Sequence, residues 1–466
     1  MKVDILSREL ITPYTSTPPS LRDYRISLVD ELSPTMNTPT ILYYPFDIHT
    51  SSEENGNSNS RCNHLKKSLS KVLTRFYPLA GRYLKDACMV DCSDQGAEFV
   101  EAKVDIRLDD LISQGKDLKV ELLNFLLPCP IGAVDEVTDP LLAVQVSTFA
   151  CGGYAIALMT SHRIADMSTA STFISEWGID SKLLSEGINE DRFSISSSWN
   201  SGLLFPGKTF SALHLGLSRS KENIKDHKII TKNFFFDKSA ISRIREKAKV
   251  DSSSEKLPTR VQSVVAIIGK AIIDLHVANP VNPREFLITQ ALNMRERTNP
   301  PLPKNQCGNL YLPASAQSVA SERGVEFRSL VDLLSNSVKR GIEKCKILLS
   351  TGDEGQMMIA NCFHDLKNTV SKPGNFCGGS FSDLSKFSFY EADFGWGKPI
   401  WVSMANVPVS HGCFLLADKS GEGMEAWIGM NVNDMSKFEN DRNIMEFTTR
   451  GKLKIDEFSS RSHIRY

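Results

Sequence analysis

An α/β fold is predicted for this 466-residue chain by two observations: strand-like and helix-period apolar runs alternate along it, and no internal repeat at a fixed spacing replaces them. A third observation, length, predicts two or three domains, because one compact core stops growing well before this size. Apolar residues make up 41% and charged residues 23%, the balance of an ordinary globular protein. The 54 Lys and Arg nearly cancel the 55 Asp and Glu, for a formal charge of −1. Such a balance gives no general attraction to nucleic acid or an anionic membrane, so any positive region would be a local pocket.

In chain order, His64–Arg75 carries Leu65, Leu69, Val72 and Leu73 on one helical face. Pro78 and Gly81 break it. Strand-like runs follow at Met89–Cys92, Ala97–Val100 and Leu141–Phe149, and the turn Cys151-Gly152-Gly153 leads into another at Tyr154–Thr160. Helical spacing resumes at Met167, with Phe173, Ile174 and Trp177 on one face. In the second half Ile229–Phe236 reads as a strand, Lys238–Lys249 as a helix and Phe286–Leu292 as a strand. Ser51–Ser60 lacks apolar residues and reads as a surface loop, and Glu186–Asp226 as a linker. Gly451–Tyr466 is polar and basic, the composition of a frayed tail.

Asp4, Arg8 and Glu9 interrupt the N-terminal apolar positions, so no signal peptide is expected. Val264–Ile273 is the longest apolar stretch and is too short for a membrane span. Ten cysteines without a Cys-x-x-Cys pair read as free thiols in a reducing compartment, and no Asn-x-Ser/Thr acceptor occurs. The expectation is a soluble cytoplasmic protein.

Three segments could carry chemistry. The run Tyr154–Thr160 delivers His162 to a strand end, where a side chain is both exposed and rigidly held. A histidine there takes a proton near neutral pH. Asp166, four residues on, either fixes its tautomer or caps the following helix. His-x-x-x-Asp arises by chance about half a time in a chain like this one. The second segment is Glu391–Pro399, where Gly395 and Gly397 flank Trp396 in a shaped turn. A buried Asp393 in it would need a charge partner or backbone donors. The third is Ala291–Pro303, where Arg295 and Arg297 leave a strand just before a diproline. One of them could neutralise Asp166 or Asp393, or meet a phosphate. No Gly-x-Ser-x-Gly elbow, Walker-type loop, Gly-x-Gly-x-x-Gly loop or zinc-spaced His/Cys cluster is present.

In this order and spacing the segments resemble the plant BAHD acyltransferases. That family carries HxxxD and DFGWG motifs, here His162–Asp166 and Asp393–Gly397, about 230 residues apart. Leu73–Arg82, Ala291–Pro303 with Cys307-Gly308-Asn309-Leu310, and Ser420–Ile428 are also similar to family segments, so the resemblance runs from about Leu6 to Phe447. Within the family the chain is most similar to the alkaloid and alcohol acetyltransferase branch that contains vinorine synthase. It is unlike the flavonoid malonyltransferases, whose YFGNC segment is Gln306-Cys307-Gly308-Asn309-Leu310 here. Where the branch often has a Ser-Trp-Cys-Arg stretch this chain reads Ser382-Asp383-Leu384-Ser385-Lys386, and a Trp-Lys helix pair is replaced by Gly269-Lys270.

The resemblance implies two similar-sized chloramphenicol-acetyltransferase-like domains with a central tunnel, spanning residues 1–184 and 229–466 with a crossover at 185–228. It implies acyl transfer, acetyl in particular, from acyl-CoA to a hydroxyl of a plant specialised metabolite such as an alkaloid or terpenoid alcohol. His162 would be the general base. Asp166 would pair with Arg295 and position the histidine loop, Asp393 and Gly395 would support structure, and the Trp396 indole would be a candidate oxyanion donor. No metal or permanently bound cofactor is implied, and neither nucleic acid nor a membrane is an expected partner. The protein is expected to be a monomer. Two alternatives stay open: a family member without turnover that acts as a binding protein, and transfer to an amine.

Overall fold

The computed structural model describes residues 1–46, 58–115, 118–132, 136–188, 198–207, 228–249, 257–277, 285–320, 324–370 and 376–448. Two six-stranded sheets organise these residues. The first runs, in spatial order, Val3–Ile11, Ala97–Val104, Leu142–Phe149, Tyr154–Ser161, Asn37–Tyr44 and Trp401–Ser403. The second runs Tyr311–Val319, Glu285–Asn293, Phe376–Asp383, Gly412–Ala417, Met424–Asn431 and Ile229–Phe236. Both are mixed, each containing parallel and antiparallel neighbours. A small three-stranded sheet joins Asp23–Arg25, Arg82–Leu84 and Met89–Asp91.

Helices cover the sheets. Ser58–Arg75 packs against Met167–Ser185 beside the first sheet; Trp177 Nε1 donates to Ser68 Oγ at 3.0 Å, and Arg75 pairs with Glu176 and Asp180. Beside the second sheet lies Arg260–Val277. It encloses the Val264–Ile273 stretch, where nine residues are buried and Lys270 is half-buried. A helix apolar on nearly all sides belongs in a core. Gly269 sets its approach to the sheet, since a Cβ there would lie 2.5 Å from Ile288 Cδ1.

Most predicted elements form where periodicity places them, two readings need correction, and one strand has no counterpart among the predicted elements. The helix predicted from His64 begins at Ser58, inside the expected loop; its first turn is polar and gives no apolar signal, while residues 51–57 lie outside the described residues. Part of the expected linker is core: Ser201–Leu204 forms a helical turn and Phe205 is buried with Leu28, Leu292 and Leu310. The rest of that linker, 189–197 and 208–227, and the tail lie outside the described residues. Finally, the strand Trp401–Ser403 comes from the second half of the chain but closes the edge of the first sheet, against Ile41–Tyr43.

The segment after that strand runs back to the second sheet along Met424–Asn431. Val407 N donates to Thr231 Oγ1 at 2.8 Å. Gly429 permits the approach, because a Cβ there would stand 2.5 Å from the Val407 carbonyl oxygen and 2.8 Å from that of Val409. Backbone on both sides cannot rotate away. Gly429→Ala is expected to lose about 1–3 kcal/mol in chemical denaturation, the range for overpacking. Gly132→Ala, with nothing among the described residues within 4 Å of its added Cβ, should stay close to wild type.

Candidate active site

The strand Tyr154–Ser161 is buried at every position and lies between two antiparallel neighbours, which fixes its end point. His162 follows directly. Its N–H donates to Met36 O at 2.8 Å, and its carbonyl accepts from Asn309 Nδ2 at 2.7 Å. The backbone is therefore held from both sides. The chain then turns, with Ile164 and Ala165 amides donating to Ser161 O. The residue is half-buried, its ring 5.9 Å from that of Tyr311, and Nδ1 is sealed from solvent with no hydrogen-bond partner among the described residues. Burial pushes the imidazole below its ordinary value, against the opposing pull of Asp166.

Asp166 does not hydrogen-bond the imidazole. Oδ1 accepts from Thr169 N at 2.9 Å and Arg295 Nη2 at 3.1 Å, and Oδ2 from Arg295 Nη1 at 2.8 Å and Leu310 N at 3.0 Å. Four bonds occupy the acceptor sites of a carboxylate. The Thr169 bond is also the N-cap of the helix Met167–Ser185, so the capping and ion-pair readings hold together. Burial would raise this carboxyl, but the Arg295 guanidinium and the two amides outweigh it and hold it below the usual range.

Arg295, only 3% exposed, sits just beyond the strand Glu285–Asn293 of the second sheet. Nε donates to Gln306 O at 2.6 Å, and Nη2 also reaches Thr169 Oγ1 at 3.1 Å and Gly308 O at 3.0 Å. The loop 306–310 is therefore tied to both sheets. Gly308 is required there: its φ is +112°, and a Cβ would lie 2.4 Å from Ser201 Oγ.

Residues that sequence reasoning did not single out complete the setting. Asp30 is fully buried, and its oxygens accept from Asn309 N and Nδ2, both at 2.8 Å, and from Ser27 N and Oγ at 2.7 and 2.8 Å. Burial, resisted by these donors, pushes its pKa up to about 6. Asn309 thus links Asp30 to the His162 carbonyl, while Ser33 and Tyr311 share a hydroxyl contact at 3.2 Å beside the ring. Ser27-x-x-Asp30 is a capping box, and that spacing was the available signal.

The second motif lies elsewhere. Asp393 Oδ1 accepts from Gly395 N at 3.0 Å and Gly397 N at 2.9 Å, and Oδ2 from Lys182 Nζ at 3.1 Å. Both glycines have positive φ, +104° and +100°. Ser181 Oγ donates to Phe394 O, so the turn is seated on the far end of the helix that Asp166 caps. Trp396 packs against His64 and Tyr154, with ring centroids 5.7 and 5.8 Å away. Tyr154 opens the strand that His162 follows, about 26 Å away for eight extended residues. The expectation that Trp396 donates to the oxyanion is therefore overturned; the indole is at the wrong end of the strand.

Either half of the Asp166–Arg295 pair, left alone, is a stranded buried charge costing about 3–5 kcal/mol. Asp166→Asn and Arg295→Gln are each expected to lower melting temperature and turnover together, and the double variant to lose less than the sum. Calorimetry on the four-member cycle checks this, and additive losses would contradict the coupling.

The Transferase family model matches residues 1–445. A Salvia splendens pelargonidin 3-O-(6-caffeoylglucoside) 5-O-(6-O-malonylglucoside) 4'''-malonyltransferase is 36% identical over 453 residues, 96% of this chain and 100% of that one. Vinorine synthase from Rauvolfia serpentina is 34% identical over 441 residues, 93% of this chain and 96% of that one. Salutaridinol 7-O-acetyltransferase from Papaver somniferum is 33% identical over 478 residues, covering 94% and 96%. The crystal structure of vinorine synthase superposes with a TM-score of 0.79 at 31% identity, covering 97% of this chain and 99% of that one. The likeness to a malonyltransferase corrects the expectation that this chain stands apart from such enzymes; the YFGNC segment is five residues, and overall identity weighs the whole chain. With the fold and the family model agreeing over nearly its full length, the chain belongs to the BAHD family of acyl-CoA-dependent acyltransferases.

Proposed function

We propose that this enzyme moves a short neutral acyl group, acetyl in preference, from coenzyme A to a hydroxyl of a plant specialised metabolite such as an alkaloid or terpenoid alcohol. The observation that carries the reading is His162: a half-buried imidazole at a strand end, backbone-locked on both sides and kept neutral by burial. Acyl-CoA and acceptor would meet at this ring between the two sheets. Holding both together converts a bimolecular encounter into an oriented one. His162 takes the proton of the acceptor hydroxyl as its oxygen attacks the thioester carbonyl. The carbon–sulfur bond then breaks, the proton passes to the departing thiolate, and the products are an ester and free coenzyme A. Asp166 and Arg295 position the histidine loop, and Asp393 with Gly395 and Trp396 braces the distal end of the same helix. Ten cysteines free of disulfides are in keeping with work in the cytosol; we propose a monomer.

The acetyl preference rests on charge as well as on likeness to two enzymes outside the malonyl group. A malonyl donor brings a carboxylate that needs a cation. The arginines flanking the histidine are engaged: Arg295 with Asp166, and Arg163 with the Glu31 and Ser33 carbonyls and the face of Tyr83. The 36% identity to a malonyltransferase makes malonyl-CoA the second reading.

His162→Ala is expected to cut turnover at least about 100-fold while leaving melting temperature close to wild type. In the wild type, kcat/KM should fall on acidification only below the ordinary histidine value of about 6.5, since the neutral ring is the active form. A thiol-release assay across pH reads both, and near-normal activity in folded His162→Ala would sink the mechanism. In the same assay acetyl-CoA should give the higher kcat/KM; a preference for malonyl-CoA would establish the second reading.

A further inference from the structure

Outside the histidine site, one group of side chains converges without an assigned role. His276 lies in the last turn of the helix Arg260–Val277, His411 directly precedes the strand Gly412–Ala417, and Asp434 is in the first turn of the helix Val432–Phe438. One ligand-capable atom from each lies within 4.8 Å of the others. His411 Nε2 is 3.4 Å and His276 Nε2 4.0 Å from Asp434 Oδ2. None of the three is bonded to His162, Asp166 or Arg295.

The protonation pattern gives the cluster its chemistry. His276 Nδ1 lies 3.0 Å from Ile272 O. A carbonyl oxygen only accepts, so Nδ1 carries the proton and Nε2 presents its lone pair to the cluster. A backbone carbonyl on the outer nitrogen is the arrangement that orients metal-binding histidines. His411 Nε2 is sealed from solvent and has no hydrogen-bond partner among the described residues. Asp434 Oδ2 takes one bond, from Asn431 Nδ2 at 2.5 Å, which aims it. With His411 protonated on Nδ1, three electron-pair donors face one another, and a shared cation satisfies all of them at once.

The backbone supports the same reading. His411 has a φ of +56°, uncommon for a residue with a Cβ. Its N–H donates to Gly429 O at 2.7 Å and its carbonyl accepts from Ser380 N at 3.1 Å, so two strands hold it in that conformation with the ring turned to His276 and Asp434.

We propose that His276, His411 and Asp434 bind a divalent first-row transition metal, zinc above all, which ties the helix end, the strand start and the helix start of the second sheet's layer together. Zinc takes imidazole and carboxylate at about 2.0–2.2 Å, which puts tetrahedral ligand atoms about 3.3 Å apart. The His411–Asp434 spacing of 3.4 Å already matches, and His276 Nε2, 4.0 Å from the same oxygen, has to come closer by about 0.7 Å. Three protein ligands leave one position for water. The site is invisible to motif spacing because its members come from three separated segments.

The test uses the full chain, stripped with chelator, given zinc chloride and desalted. Wild type should retain about one zinc per chain and melt at a higher temperature than the stripped protein. His276→Gln, and His411→Gly, which tolerates the positive φ, should each weaken zinc binding by more than the about 10–100-fold that loss of an outer-sphere partner costs. Circular dichroism checks that both variants fold. Cobalt(II) loaded into wild type, which needs no variant, should show tetrahedral visible bands without thiolate charge-transfer absorption. No retained zinc in wild type, equal retention in the variants, or a thiolate band would overturn the proposal.

Discussion

The buried contact between Asp166 and Arg295 sets the conditions for the rest of the site. The aspartate follows a strand of the first sheet, and the arginine follows a strand of the second. Both charges are buried, so each is tolerable only because the other is present and because their remaining valences are filled. Amides of Thr169 and Leu310 complete the carboxylate, while carbonyls of Gln306 and Gly308 and the Thr169 hydroxyl complete the guanidinium. With so many partners drawn from both sheets, any relative sliding would leave several buried polar atoms unmatched at once. The two layers meet in one register.

That arrangement also decides the electrostatics of His162. A carboxylate hydrogen-bonded to the imidazole would stabilise its charged form and raise its pKa. Here Arg295 neutralises the carboxylate and occupies its lone pairs, so burial governs the ring. The aspartate caps the helix and is bonded to the arginine and to loop amides rather than to the imidazole.

The second motif acts on the same helix from its other end. Met167–Ser185 is 19 residues long, about 28 Å, and the turn around Asp393 is bound to its C-terminal half through Ser181 and Lys182. Gly178 allows that approach, with Asp393 backbone atoms 3.3–3.4 Å from where a Cβ would be. Two motifs distant in sequence thus position one element, and the strand Trp401–Ser403 continues the tie by joining the first sheet.

Sequence by itself determined the alternation of strands and helices, the strand that ends at His162, the helix starting at Met167 and the ordered pair of motifs that identifies the family. These are local properties: periodicity, capping and turn chemistry act over a few residues and can be read from them. The partner of Asp166 was legible as one of two arginines at a strand end, because a buried carboxylate demands a cation. Tertiary structure alone decided what depends on distant segments meeting. Asn309 and Asp30 were missed because their value lies in contacts across 279 residues of chain. Trp396 was misplaced because motif order says nothing of which strand end a turn covers. The edge strand at Trp401 and the His276–His411–Asp434 cluster belong to the same class: a sheet pairs by exposed backbone and a cluster by spatial convergence, and neither leaves a spacing in the sequence.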